Sequence, residues 1–82
     1  MEIIKYAGKH CVKCKILDRI FPLVELPCDV QVKYVEDEGE DKFQSMGITN
    51  LPTLEIKNAT DSIKLSGTMT PQMIKDAIEK LS

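Results

Sequence analysis

Apolar residues recur along the first part of the chain in the spacings of a strand followed by a helix. Ile3, Ile4 and Tyr6 predict a short buried strand that ends at Gly8. The next apolar residues follow helical spacing until Pro22, which lacks a backbone donor and is expected to kink or end the helix. These helical positions are Val12, Ile16, Leu17, Ile20 and Phe21. The pattern predicts the opening strand and helix of a βαβ unit.

A second alternating segment, residues 30–35, predicts the next strand. Its apolar positions, Val30, Val32 and Tyr34, alternate with polar residues, as in a strand with two different faces. The acidic residues 36–41 are expected to form a solvated turn, whose last acids favour the N-terminus of a short helix at residues 42–46. Gly47 is expected to end that helix.

Two further alternating segments predict a hairpin. Residues 53–57 form the first strand, residues 58–61 are typical of a turn, and Ile63 and Leu65 mark the second strand. Thr70 and Pro71 are typical of a helix N-cap and of the first helical position. The apolar positions of the helix that follows are Met73, Ile74, Ala77, Ile78 and Leu81.

The predicted order of elements is βαβαββα. A parallel βαβ start followed by an antiparallel hairpin predicts an α/β fold with a four-stranded mixed sheet and helices on both faces. Because crossover connections are right-handed, the first and third predicted helices are expected on the same face.

Length and composition predict one small domain over residues 1–82. The chain has 82 residues, of which 43% are hydrophobic and 29% charged, and its net charge is −2; a second core would not fit. The lysines are scattered, and no segment approaches the ~20 apolar residues of a membrane span, so neither nucleic acid nor a membrane is expected as a partner. No signal-peptide core is present, and the protein is expected to be cytoplasmic and monomeric.

Cys11 and Cys14 carry the candidate chemistry. Residues three apart on a helix have Cβ atoms roughly 5–6 Å apart, so a slight tightening of the first turn would bring the two thiols within disulfide range. Unpaired N–H groups at the helix N-terminus favour a thiolate at Cys11. His10, Lys13 and two further lysines lie in residues 9–15, which contain no acid, and their local field should also favour the anion.

Two segments of the chain resemble the thioredoxin and glutaredoxin superfamily. Residues 11–15, Cys-Val-Lys-Cys-Lys, follow a predicted strand and are similar to the Cys-x-x-Cys-Lys motif of the family. Residues 47–53 are similar to its Gly-Ile-x-x-x-Pro-Thr segment, and Gly67 stands where the family has a glycine after the hairpin. The resemblance covers nearly the whole chain and implies a small thioredoxin-like protein with a thioredoxin-like fold, in which the Leu51-Pro52 peptide is cis and faces the dithiol.

This resemblance implies a thiol–disulfide oxidoreductase. Cys11 would be the nucleophile and Cys14 the resolving cysteine, while Leu51, Pro52 and Gly67 would bind the substrate. His10 and Lys13 would tune the thiolate. No cofactor is expected beyond the redox-active disulfide. The expected partners are disulfide-containing protein substrates and an electron donor of the thioredoxin-reductase or glutathione type.

The chain also departs from the family pattern. Val-Lys separates the two cysteines, where thioredoxins usually have Gly-Pro, and His10 replaces a tryptophan that often precedes the first cysteine. Lys5 stands where typical thioredoxins have a buried acid that assists proton transfer. The role of that acid is therefore unassigned in this chain.

Two other kinds of function remain open at this level. Three cysteines are too few for a disulfide-stapled scaffold but fit redox or metal chemistry. A metal or iron–sulfur module would use Cys11, Cys14, Cys28 and His10, with a second chain needed to complete the ligands of a shared cluster. A domain that uses the same fold only for docking is the third interpretation, although the intact dithiol argues against it.

Overall fold

The computed structural model describes residues 1–82 and contains four strands, four α-helices and one 3₁₀ turn. The strands are β1 (Glu2–Ala7), β2 (Val30–Tyr34), β3 (Thr53–Lys57) and β4 (Ser62–Ser66). The helices are α1 (Val12–Ile20), α2 (Val35–Glu38), α3 (Glu40–Ser45) and α4 (Pro71–Lys80), and the 3₁₀ turn is Phe21–Leu23. None of the helices has the length and apolar character needed to cross a membrane.

The four strands form one mixed sheet in the order β2-β1-β3-β4. β1 pairs in parallel with β2 and antiparallel with β3, and β3 pairs antiparallel with β4. This arrangement confirms the predicted fold class. Ala7 lies opposite Tyr34 in the parallel pair, so the segments that follow these two residues leave the sheet side by side.

Alternate residues of β1 belong to different cores on the two faces of the sheet. Ile3 packs with apolar residues of α1 and α4, as predicted for the first and last helices. Ile4 and Tyr6 point the other way and pack with Phe43 of α3 and with Ile48. The members of the first core are Ile3, Leu17, Leu54, Ile56, Met69, Ile74, Ala77 and Leu81.

Tyr6 joins the second core to the surface through its hydroxyl. Its ring meets Phe43 edge to face, with centroids 5.5 Å apart, and its hydroxyl donates a hydrogen bond to Glu55 at 3.1 Å. Burial, followed by the negative charge of Glu55, raises the pKa of Tyr6 to about 12.

Helix α4 begins as the sequence predicts. Thr70 is extended, and its hydroxyl accepts a hydrogen bond from the backbone N–H of Met73 at 3.2 Å. Pro71 is the first helical residue, where the missing N–H costs nothing because that position has no intrahelical partner.

Two predicted features differ from the structure, and a third could not be predicted. Residues 36–41 were expected to form a turn, but they lie in α2 and α3, which meet at Gly39; acidic side chains stabilise helix N-termini, which favours these short helices. Val35 begins α2 instead of ending β2. Val12 and Ile16 share the helical spacing of the core positions but are 72% and 49% exposed, because the buried side of α1 is formed by Cys14 and Leu17 and no element covers the other side.

Candidate active site: the Cys11–Cys14 pair

The two cysteines lie at the N-terminus of α1 and are joined by a disulfide. Cys11 is the extended N-cap residue, and Cys14 lies in the first turn, with 5.2 Å between their Cα atoms. The sulfur of Cys11 accepts a hydrogen bond from the backbone N–H of Cys14 at 3.2 Å. The Cys11 sulfur therefore caps the N-terminus of α1, which is an environment that stabilises a thiolate.

The two sulfur-bearing residues differ in exposure. Cys14 is 2% exposed and faces the sheet, whereas Cys11 is only partly buried. An incoming substrate can therefore approach Cys11 more easily than Cys14.

The segment before β3 lies opposite this helix end. The Leu51-Pro52 peptide is cis, as the family resemblance implies. Pro52 is fully buried, and its carbonyl accepts a hydrogen bond from the N–H of Gly67 at 3.0 Å. The hydroxyl of Thr53 donates to the carbonyl of Asn50 at 2.6 Å. Hydrogen bonds therefore hold the backbone on both sides of Leu51, at Asn50 and at Pro52. Leu51 itself is partly exposed.

Gly8 is the point at which the cysteine helix and the cis-proline segment meet. A Cβ placed on Gly8 would lie 3.4 Å from Cδ1 of Leu51 and 3.5 Å from Cβ of Cys11. It would also lie 3.9 Å from a carboxylate oxygen of Glu36. The structure therefore brings Leu51 and Cys11 together, as predicted, and adds Glu36 beside them.

Glu36 holds the backbone of the loop that leads into α1, and its neighbour Asp37 pairs with the exposed side chain of Lys9. Both carboxylate oxygens of Glu36 accept the backbone N–H of Lys9, at 3.1 and 3.2 Å. The ammonium of Lys9 donates to Asp37 at 2.9 Å and lies 5.7 Å from the ring centre of Tyr34. The hydrogen bond to Asp37 raises the pKa of Lys9.

Sequence reasoning missed Glu36 because it assigned the acidic segment to a solvated turn. A signal was available, since the predicted parallel pairing of the first two strands places the residues after both strands at the same edge of the sheet. The charges around Cys11 therefore include one from outside residues 9–15, because the Glu36 carboxylate lies across Gly8 from it.

His10, Lys13 and Gly67 surround the site more loosely. His10 and Lys13 are exposed side chains. Gly67 lies across from the start of α1, where it lines a shallow depression together with Lys13 and Ile16. Its φ of +74° is the left-handed conformation that favours glycine, and a Cβ there would meet nothing within 4 Å. Gly67 is therefore required for its backbone conformation more than for space.

Lys5 is the unexpected charged residue of the interior. It lies on β1, is 3% exposed, and donates a hydrogen bond from its ammonium to Asp18 of α1 at 2.6 Å. The Asp18 side chain is 57% exposed.

The side chains that a metal site would need are not gathered. No group of three or more His, Cys, Asp or Glu side chains is placed to hold a metal ion. Cys28 is partly buried and packs against the core between the sheet, α1 and α4. The donor set proposed for the metal interpretation therefore does not fit this chain by itself.

Comparison with solved structures identifies the fold. Chloroplastic thioredoxin z superposes with a TM-score of 0.71 at 26% sequence identity, covering 95% of this chain and 74% of that chain. The chain has a thioredoxin-like fold. Thioredoxin 1 from Thermosipho africanus matches with a TM-score of 0.74 at 19% identity, over 98% of this chain and 92% of that chain. Mitochondrial thioredoxin 3 from Saccharomyces cerevisiae gives a TM-score of 0.70 at 24% identity, over 96% and 76%.

No protein-family model matches the sequence, and no curated protein matches it either. The shared fold and the Cys-x-x-Cys disulfide together support the predicted thiol–disulfide oxidoreductase.

Proposed function

We propose that this protein exchanges electrons with disulfide-containing proteins through the Cys11–Cys14 pair. The observation that carries the proposal is a disulfide between an accessible helix N-cap cysteine and a buried partner, opposite a cis-proline segment. The site needs no cofactor beyond that disulfide, because the two sulfurs can themselves hold the two electrons.

In the reducing direction, the Cys11 thiolate attacks one sulfur of the substrate disulfide. A mixed disulfide forms, and the other substrate sulfur leaves as a thiolate. Cys14 then gives up its proton and attacks the Cys11 sulfur, so that the Cys11–Cys14 disulfide forms and the second substrate thiolate is released. The two substrate thiolates are protonated by solvent, and the substrate has gained two electrons. The exposure of the two cysteines supports this order of attack.

The substrate surface is proposed to be an apolar rim with a backbone edge. The partly exposed Leu51 would offer a backbone edge near the disulfide, the buried Pro52 would fix that edge in place, and the space around Gly67 is open. Val12 and Ile16 add exposed apolar area along α1. Exposed apolar surface next to reactive sulfur suits a polypeptide substrate better than a small polar disulfide. His10 and Lys13 are proposed to tune the thiolate.

An electron donor must reduce the Cys11–Cys14 disulfide after each cycle, and we assign this role to a donor of the thioredoxin-reductase or glutathione type. The proposed location is the cytoplasm, because a chain that contains both a free thiol, Cys28, and a reversible disulfide suits a reducing compartment. The proposed working form is a monomer, with no nucleic acid or membrane partner.

Substitution of each cysteine tests the mechanism. Cys11→Ser is expected to abolish reduction of a protein disulfide such as that of insulin, because no nucleophile remains. Cys14→Ser is expected to accumulate a mixed disulfide with the substrate, visible by mass spectrometry and released by dithiothreitol. Cys28→Ser serves as the matched control and should keep full turnover. Full multiple turnover by Cys14→Ser would refute the assignment of the resolving cysteine.

A further inference from the structure

Lys5 is buried beneath the helix that carries the two cysteines, and the proposed exchange reaction does not account for it. Its side chain is 4% exposed, and charged groups are almost never buried to this degree without a partner. The partner is Asp18, at 2.6 Å, whose own side chain is 57% exposed. The cation is thus held inside the fold, while its counter-ion lies at the boundary with solvent.

The level of Lys5 along the helix follows from the geometry of the two elements. Gly8 and Cys11 lie side by side, because a Cβ on Gly8 would be 3.5 Å from that of Cys11. Lys5 precedes Gly8 by three residues of extended chain, which is a distance of about 10 Å along the strand. Seven residues of helix lead on from Cys11 to Asp18 and also cover about 10 Å. The ammonium therefore lies one helical turn below Cys14.

Cys14 and Asp18 are four residues apart on α1 and so lie one turn apart on the same side of the helix. Cys14 faces the sheet, whereas Asp18 lies at the exposed border of that side. The neighbours of Lys5 in the sheet are Val32 on β2 and Leu54 on β3, neither of which is charged. Asp18 is consequently the charged group in contact with the ammonium. Water screens the exposed carboxylate more strongly than the buried ammonium, so the field of the pair at Cys14 has a net positive sign.

We propose that Lys5, restrained by Asp18, is a positioning residue that favours the thiolate state of the reduced dithiol. This inference rests on the proposed oxidoreductase function. In the step that releases the substrate, Cys14 must lose its proton before its sulfur attacks Cys11. A buried cation one turn below that sulfur stabilises the thiolate, while Asp18 limits the effect and fixes the direction of the lysine side chain.

The experiment measures the pH at which the two thiols of the reduced protein ionise, followed by thiolate absorbance at 240 nm. Lys5→Met removes the cation but keeps an unbranched apolar side chain that fits the buried position. In Lys5→Met, the pH at which the thiols ionise is expected to rise by about one unit. Asp18→Asn removes the restraining carboxylate, and ionisation is expected to move down.

Two further variants separate electrostatics from structure. Lys5→Arg keeps the charge and should titrate close to the wild type. Lys57→Met removes a cation at the far end of β3, where its pair with Glu2 is 3.5 Å long, and should leave the ionisation unchanged. The other charged or titratable groups near the thiols stay constant in all variants; they are Lys9, His10, Lys13, Lys15 and Glu36.

Equilibration with a glutathione buffer at pH 8 gives an independent readout. Lys5→Met is expected to favour the Cys11–Cys14 disulfide several-fold relative to the wild type, because the reduced form loses its stabilising cation. Asp18→Asn should move the equilibrium the other way.

Shifts of opposite sign in Lys5→Met and Asp18→Asn support the inference, because a merely structural pair would move both variants in the same direction. Shifts of the same sign, or none in either variant, would overturn it. If Lys5→Met does not fold, the direction of the Asp18→Asn shift decides. The thiol titration needs no substrate and is therefore independent of the test of the proposed function. If the wild type reduces disulfides and the thiols of Lys5→Met ionise as in the wild type, only the role of Lys5 is disproved.

Discussion

Both carboxylate oxygens of Glu36 accept a hydrogen bond from the backbone N–H of Lys9, at 3.1 and 3.2 Å. Residue 36 lies just beyond the end of β2, and residue 9 lies in the loop between β1 and the cysteine helix. The parallel pairing of the two strands places them together. The loop that presents Cys11 is therefore held by a side chain from another part of the chain.

Glu36→Ala and Glu36→Gln should separate the two effects of this carboxylate. The alanine variant loses the acceptor and is expected to cost about 1 kcal/mol in the free energy of unfolding. The glutamine variant keeps an acceptor oxygen but loses the negative charge near Cys11, so the Cys11 thiol should ionise about half a pH unit lower. Alkylation rates against pH measure the ionisation, and urea denaturation measures the stability.

Asp37→Asn is the control for Glu36, because Asp37 contacts only the exposed ammonium of Lys9. It should change neither the stability nor the alkylation profile by much. If Glu36→Gln alkylates with the wild-type pH profile, the carboxylate has no electrostatic effect on Cys11.

Gly67→Ala should destabilise the protein through its backbone. The φ of Gly67 is +74°, and a left-handed conformation costs a residue with a Cβ roughly 1–2 kcal/mol, although nothing lies within 4 Å of the added methyl group. Urea denaturation measures the loss. Gly8→Ala is the matched comparison, since its new methyl group would make ordinary contacts with Leu51 and Cys11 in an allowed conformation. Equal losses in the two variants would contradict the role given to the φ angle of Gly67.

Tyr6 should make the stability fall at high pH. Its pKa is raised from 10.0 to about 12 in the folded protein, so between these values the unfolded chain loses the phenolic proton while the folded protein retains it. The stabilisation is complete below pH 10 and is lost as the pH rises through 12. The free energy of unfolding of the wild type relative to Tyr6→Phe should decline over this range. A difference that stays constant from pH 9 to pH 12 would show that the hydroxyl titrates normally.

Thr70→Ala should weaken the start of α4. The hydroxyl accepts the N–H of Met73, and loss of such an N-cap typically costs about 1 kcal/mol. Thr70→Ser keeps the acceptor and should restore most of the loss in a thermal melt. A serine variant as unstable as the alanine variant would mean that the methyl group of Thr70, not its oxygen, stabilises the helix.

The sequence predicts the sheet and the first and last helices well because their signals are local. Thr70 and Pro71 mark a helix start by their own chemistry, and alternation in Thr53–Lys57 shows which residues face a core. The prediction of a turn at residues 36–41 was wrong. The two short helices joined at Gly39 bury few residues, so the sequence there shows no long periodic pattern of apolar positions. The exposure of Val12 and Ile16 could not be predicted, because spacing shows which residues share a side of a helix, not whether another element covers that side.

The candidate site was predictable as far as its motifs extend. Cys11, Cys14 and the Leu51-Pro52 segment come from short sequence patterns, and the structure brings them together around Gly8. Glu36 and Asp18 lie outside these motifs, and each acts through one contact with a residue distant in sequence. The Lys5–Asp18 contact depends on the exact level at which α1 crosses the sheet, which no pattern of apolar residues specifies.

The hydrogen bond between Lys9 and Glu36 joins residues 27 positions apart in the sequence. This separation limits which fragment of the chain could carry the dithiol site by itself or be grafted onto another protein. A peptide of the first twenty residues would contain the dithiol and the whole of α1, but nothing would hold the approach to Cys11 in place. Grafting the reactive loop onto another scaffold would likewise need a neighbouring parallel strand that ends in an acid. A unit able to hold the loop before Cys11 therefore extends at least past the second strand to Glu36.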